Sequence, residues 1–179
     1  MPHIMVDIES LGTRPGVIVP QIGWCRFNAS SILDSGVIYP SVHHQLLLGL
    51  KAEAETLEWW QEQDREVRHR VFDCKLAVDL DEALGQFAEL VSAEALGEGG
   101  LLWADPDWFD LPVLQAVYNA GGVGYPWPRR QTADARTLRW LARMTNEERT
   151  ESVRPHDGQY DAEAQAKDVI ECLRGLRGT

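Results

Sequence analysis

Residues 3–7 form a short, nearly unbroken apolar run, the pattern of a strand covered on both faces. Two further runs, "GVIVPQIGWCRFN" and "SSILDSGVIYP", read as strands joined by a short turn near residues 28–31, so the chain opens antiparallel. The period changes at residue 56. "TLEWWQEQDREVRHRVF" predicts a helix with Leu57, Trp60, Val67 and Val71 at its buried positions. Asp79 followed by Glu82 has the spacing of a capping box, and Leu80, Ala83, Leu84, Phe87, Leu90 and Val91 follow at helical intervals. Gly97, Gly99 and Gly100 close a loop before "LLWA", a run suited to a central strand. "FDLPVLQAVYNAGG" predicts a helix stopped by glycines, "TADARTLRWLARM" another, and residues 160–176 the last. Strands first, then helices alternating with at least one strand, predict an α/β or α+β domain with a mixed sheet. With 179 residues and no repeat or linker, one domain spanning 1–179 is expected.

Composition, at 44% hydrophobic and 25% charged residues, is that of a soluble globular protein. The net charge of -11 argues against general coating of nucleic acid, which relies on Lys and Arg displacing phosphate counterions. A nucleic-acid enzyme stays open, because a carboxylate cluster that binds cations adds negative charge of its own. Basic residues cluster at Arg65, Arg68 and Arg70, at Arg129 and Arg130, and at Arg136, Arg139 and Arg143; taken singly, each group reads as a solvated helix face. Cys25, Cys74 and Cys172 form no C-x-x-C pair, so neither a zinc knuckle nor a disulfide framework is indicated. Without a leader-like start or an apolar run of membrane-spanning length, a reducing cytoplasm is the expected location.

The first strand ends in two acids. Asp7 and Glu9 lie two apart, so they share a face of the strand and repel each other unless a cation stands between them. Mg²⁺ and Mn²⁺ take hard oxygen ligands of this kind. Asp107 and Asp110 in "DPDWFD" have two readings, a helix cap with a first-turn acid or part of a site. His156 and Asp161 in "HDGQYD" likewise read either as a surface loop and helix start or as functional groups. His43-His44 reads as a loop after the third strand, "GGVG" at 121–124 as a helix stop, and Trp59-Trp60 as an anchor of a helix to the sheet or to a partner subunit.

Together these motifs resemble the DEDDh 3'-5' exonucleases, in particular a branch of small bacterial and phage exoribonuclease-like enzymes. The first motif is Asp7-Ile8-Glu9, the second contains Asp110 in "WADPDWFD", and the third pairs His156 with Asp161. "DIESLGTRPGVIVPQIG", "TLEWWQEQ", "ADARTLRWL" and "HDGQYDAEAQA" fall in family order, so the resemblance covers nearly the whole chain. It implies an α/β ribonuclease H-like fold, with helices flanking a central mixed sheet of five strands, three antiparallel and the rest parallel. It further implies phosphodiester hydrolysis from 3' ends of single strands or overhangs, RNA before DNA, releasing nucleoside 5'-monophosphates. Asp7, Glu9, Asp110 and Asp161 would hold two divalent ions, Mg²⁺ or Mn²⁺, and His156 would be the general base, a role suited to an imidazole.

The backbone near Glu9 and Ser10 would hold the terminal sugar. A terminal base could stack on Trp108 or Phe109, core packing being the other fate of Phe109. Many relatives dimerise, which leaves a homodimer open. Three departures carry expectations. Ala104, Asp105 and Pro106 replace a Gly-Asn-Gly-like run, and the extra acid at Asp105 is expected to weaken a phosphate or base contact or to shift metal preference. Ser10 stands where threonine is frequent and keeps the hydroxyl. Gly158 replaces an alanine and is expected to loosen the loop carrying His156. Two other readings remain open, a catalytically weakened nucleic-acid-binding or assembly module and a nuclease that cuts internally.

Overall fold

The computed structural model of the protein describes residues 1–72 and 75–177; Cys74 lies outside them. Five strands form one mixed sheet: β1 (His3–Glu9), β2 (Gln21–Phe27), β3 (Ile32–Ile38), β4 (Leu102–Ala104) and β5 (Thr132–Asp134), in the order β3-β2-β1-β4-β5. β1 pairs antiparallel with β2 and β2 with β3, while β4 runs parallel to β1 and β5 parallel to β4. This is the ribonuclease H-like mixed sheet that the motifs implied. β1 is central and covered on both faces, which is why it reads as an almost continuous apolar run.

Its two faces meet different layers. Ile4, Val6 and Ile8 belong to the larger core, with Leu84, Phe87, Leu114 and Val117. Met5 belongs to the smaller core, with Phe27, Trp103, Ala162, Ala166 and Val169. Alternation puts Asp7 and Glu9 on the Met5 face. The helix covering that face is α8 (Gly158–Arg177), which starts two residues before the predicted position. It docks closely. A Cβ on Gly23 of β2 would fall 1.9 Å from the Gly158 carbonyl carbon, and one on Gly158 would fall 2.9 Å from the Asp7 carbonyl oxygen. The Gly158 N–H donates to Gln21 Oε1 at 2.7 Å. Gly158 therefore does not loosen its loop; it lets the helix start press directly on β1 and β2.

The remaining helices differ from the sequence pattern where segments are short. The helix predicted over 56–72 is two, α2 (Ala54–Glu62) and α3 (Arg65–Val71). Gln63 is extended, and the Asp64 carboxylate accepts the Glu66 N–H at 2.7 Å, capping a new helix. Trp60 and Val71 are buried as predicted, whereas Leu57 is 40% exposed. His43 and His44 lie not in a loop but in α1 (Val42–Leu47), capped by Ser41. α4 (Leu80–Val91) has the predicted buried face, but the Asp79 side chain makes no cap bond and no capping box forms. His44 Nδ1 accepts the Leu80 N–H instead, at 3.2 Å. After α5 (Ala93–Leu96) and β4, α6 (Asp107–Ala120) starts earlier than predicted. The segment read wholly as helix over 132–144 opens with β5 before α7 (Ala135–Leu141). No helix among the described residues is long and apolar enough to cross a membrane.

Candidate active site

Three segments deliver acids to one place at the C-terminal ends of β1 and β4. β1 carries Asp7 and Glu9. The chain leaving β4 turns at Asp105 and Pro106 into α6, whose first turn holds Asp110. The backbone N–H groups of Ile8 and Asp105 hydrogen-bond to the Asp110 carboxylate, tying the second segment to the first. α8 brings Asp161 in its first turn, and Gln165, one turn on, donates to Asp7 Oδ1 at 2.6 Å. Asp161 Oδ2 accepts the His156 N–H at 2.8 Å. Donor atoms of Glu9, His156 and Asp161 all lie within 4.8 Å of one another.

His156 has φ +60°, the left-handed region that histidine enters more readily than most residues. Its ring meets Trp59 edge-on with centroids 4.9 Å apart and Trp60 at 6.4 Å. The Trp59-Trp60 pair therefore divides its work. Trp60 is the expected anchor, 4% exposed with its indole N–H on the Ser10 carbonyl at 3.0 Å, while Trp59 faces the histidine. Adjacent helical residues point about 100° apart, so both could not have served as anchors.

The acids stand in each other's field. Burial lifts Asp7 well above the ordinary carboxylate range, and the charges of Asp110, Glu9 and Asp161 lift it further, against a lowering hydrogen bond from Gln165. Burial, then Asp161, Asp157 and Asp110, push Glu9 up to about 8. Burial pushes Asp110 up to about 7 although the N–H groups of Ile8 and Asp105 pull it down. Burial likewise raises Asp161. Such a set is either partly protonated or shares a cation. Hard oxygen donors converging from three segments, Glu9 and Asp110 buried and Asp7 and Asp161 half-buried, fit a divalent ion.

A pH dependence follows. Acids raised in the native state bind more protons there than in the unfolded chain, so stability falls as pH climbs from the unfolded carboxylate range, about 4, through about 7 to 8. Thermal denaturation in chelator is therefore expected to give a lower Tm at pH 8 than at pH 5, and Mn²⁺ a larger upward shift at pH 8. A metal-induced shift of equal size at both pH values would contradict this.

A cavity of about 440 Å³ opens beside Glu9, walled by Ser10, Phe109, Trp59, Trp60 and Glu53 among others. Phe109 is half-buried there, also packing on the core, and the Ser10 hydroxyl donates to the Gly12 carbonyl at 2.6 Å. Trp108 is 67% exposed and is not among the walls. Glu53 accepts from the Thr13 N–H at 2.9 Å and from Arg14 Nε at 3.0 Å, holding the loop after β1 over the cavity.

Asp105 is not free to meet a phosphate. Its side chain is 4% exposed and pairs with Arg139 Nη2 at 2.5 Å and Arg149 Nη2 at 3.3 Å. Arg139, expected on a solvated face, is 6% exposed, with Asp168 on its other side at 3.6 Å. Arg70 also has a partner, Asp157, at 3.1 Å. Gln165, Asp157, the placing of Trp59 against His156 and the Asp105 network were not read from the sequence; the i, i+4 spacing of Gln165 from Asp161 was the one local signal.

None of the curated proteins matches the chain by sequence. Among solved structures it is similar to the nuclease domain of 3'hExo, a DEDDh family member, bound to rAMP, with TM-score 0.66 and 14% identity, over 97% of this chain and 92% of that one. It is also similar to cell-death related nuclease 4 (CRN-4), with TM-score 0.59 and 13% identity, over 97% of this chain and 64% of that one. A 3'-exonuclease in 3'-end specific recognition of the histone mRNA stem-loop gives TM-score 0.63 and 14% identity, over 97% of this chain and 63% of that one. At these identities the likeness shows the fold. The sequence profile of one family matches from residue 2 to residue 173, and by that match the chain belongs to the 3'-5' exoribonuclease Rv2179c-like domain family.

Proposed function

We propose that the protein removes nucleotides from the 3' ends of single strands or overhangs, RNA before DNA, as nucleoside 5'-monophosphates, with Asp7, Glu9, Asp110 and Asp161 holding two divalent ions, Mg²⁺ or Mn²⁺. The observation that carries this reading is the convergence of four mutually repelling carboxylates, Glu9 and Asp110 buried and Asp7 and Asp161 half-buried, with one imidazole. The family supports an exoribonuclease, and the structural relatives bound to rAMP or recognising an mRNA 3' end support RNA.

Bound there, divalent ions would supply Lewis-acid stabilisation of charge on the phosphoryl oxygens and activation of water. The remaining steps belong to the chain. His156, held by its N–H bond to Asp161 and by the edge of Trp59, takes the proton of the attacking water. Water oxygen bonds to phosphorus, the bond to the 3' oxygen of the penultimate nucleotide breaks, and that oxygen leaves with a solvent proton. The cavity beside Glu9 receives the terminal nucleotide, with Phe109 and Trp59 offering aromatic surface and Ser10 at its wall.

A binding or assembly module has two features in its favour, the altered segment at Asp105 and the acidic net charge of -11; the first is accounted for by the pairing of Asp105 with Arg139 and Arg149. Purified protein with Mg²⁺ or Mn²⁺ is expected to release labelled mononucleotide from 3'-labelled RNA faster than from DNA, and to stop in chelator. Intact RNA and DNA after incubation with either metal would overturn the proposal.

A further inference from the structure

A second groove shares Trp60 with the cavity beside Glu9. It encloses about 600 Å³, and Trp60, Phe72, Arg65, Arg68, His69 and Lys75 are among the residues that line it. No carboxylate lines it among the described residues. That is unusual in a chain of net charge -11, whose neighbouring cavity contains Glu9, Glu53 and Glu55. Arg65 and Arg68 make no ion pair among the described residues, and Arg68 Nε is buried without a hydrogen-bond partner. Of the two acids that flank Arg65 in sequence, Asp64 and Glu66, Asp64 is occupied in capping α3.

The groove is tied to the active site in two ways. Trp60 is a wall of both cavities. Arg70, on the same helix as Arg65 and Arg68, pairs with Asp157, the neighbour of His156. Any strand whose 3' end reaches the acid cluster is repelled by it, and the phosphates behind the terminal nucleotide need cations within reach. A cationic groove that borders the site suits the phosphates of a single strand.

We propose that this groove holds the phosphodiester backbone of the substrate strand on the 5' side of the terminal nucleotide, with Arg65 and Arg68 as its phosphate contacts. The inference rests on the exonuclease reading and adds the path of the strand. Because the contacts are to phosphate, RNA and DNA strands use it alike; preference between them is set elsewhere.

The test compares wild type with the Arg65→Ala/Arg68→Ala double variant on two substrates, a 12-nucleotide single strand and the p-nitrophenyl ester of uridine 5'-monophosphate, which has no nucleotide beyond the terminal one. For the 12-mer, kcat/KM is expected to fall roughly tenfold or more, and the slope of log kcat/KM against log salt to shrink by about 1.4, two contacts at about 0.7 each. Hydrolysis of the ester stays unchanged. Equal losses on both substrates, or an unchanged salt slope, overturn the proposal. Arg68 is partly buried, so Arg65→Glu, on an exposed side chain, provides the variant that keeps its fold. It must weaken use of the 12-mer at unchanged Tm.

Should the wild type hydrolyse neither substrate, the exonuclease reading fails, and the groove is then judged by fluorescence anisotropy of a labelled 12-mer in chelator. Salt-dependent binding lost in the double variant supports the groove; equal binding by both proteins overturns it. An oligoglutamate of the same charge that displaces the 12-mer at equal concentration assigns the groove to acidic protein partners and also overturns it.

Discussion

Asp7→Asn is expected to abolish nucleotide release while leaving the metal-free protein folded and no less stable than wild type. Asparagine keeps the shape and an acceptor for the Gln165 amide, which donates to Asp7 Oδ1 at 2.6 Å. It removes a charge that burial, Asp110, Glu9 and Asp161 all disfavour. A side chain kept only for packing would show the opposite balance, little effect on rate and some loss of stability. Here the expected loss is at least about a thousandfold in single-turnover rate, as for other groups that act as one unit in the transition state. The checks are cleavage of 3'-labelled RNA in Mn²⁺ and thermal denaturation in chelator. A variant within about tenfold of wild type would show that Asp7 lies outside the chemistry.

Arg139→Ala is expected to be the costliest single change to stability. It leaves the buried Asp105 side chain with Arg149 and the more distant Arg136, and the buried Asp168 with Arg149 and the Thr150 N–H, without the fork that joined the two acids. A buried charge left without any partner costs about 3–5 kcal/mol, and with these weaker partners still in place the expected loss is roughly 2–4 kcal/mol. For a domain of this size that lowers Tm by roughly 4–16 °C. Arg139→Lys should recover only part of the loss, because Asp105 and Asp168 are met by different nitrogens of one fork, Nη2 and Nη1, which a single ammonium cannot reproduce. A Tm for Arg139→Ala within a degree or two of wild type would place the network among surface ion pairs of little consequence. The same network explains why Asp105 departs from the family pattern. Its side chain joins the turn before α6 to α7 and α8 through Arg139, while its N–H helps hold Asp110.

How much of this was legible in the sequence depended on whether the signal was local. β1 and α4 were readable because each repeats one pattern over several residues, continuous burial in one and a helical stripe in the other. β5 has three residues, all half-buried, and α1 has six residues of mixed burial, too few in either to establish a period. The break between α2 and α3 had a signal in Asp64, a strong cap residue, outweighed by the apolar spacing running through it. Their spacing of two along a strand is enough to put Asp7 and Glu9 on one face. Asp110 and Asp161 could be joined to them only through motif order, because their convergence is tertiary. Trp59, Gln165 and the Arg139 network had no motif to mark them, and an arginine with nearby acids in sequence looks the same whether buried or solvated.

The central claim is that the four converging acids hold the divalent ions that hydrolysis needs. Calorimetric titration of the chelator-stripped wild type with Mn²⁺ at about pH 7.5 tests it most directly, since metal binding releases the protons its ligands carry. Saturable binding approaching two equivalents is expected, with protons released as the raised Glu9 and Asp110 give up theirs, and with binding weakened in Asp7→Asn. Heats no larger than dilution for the wild type would contradict the account.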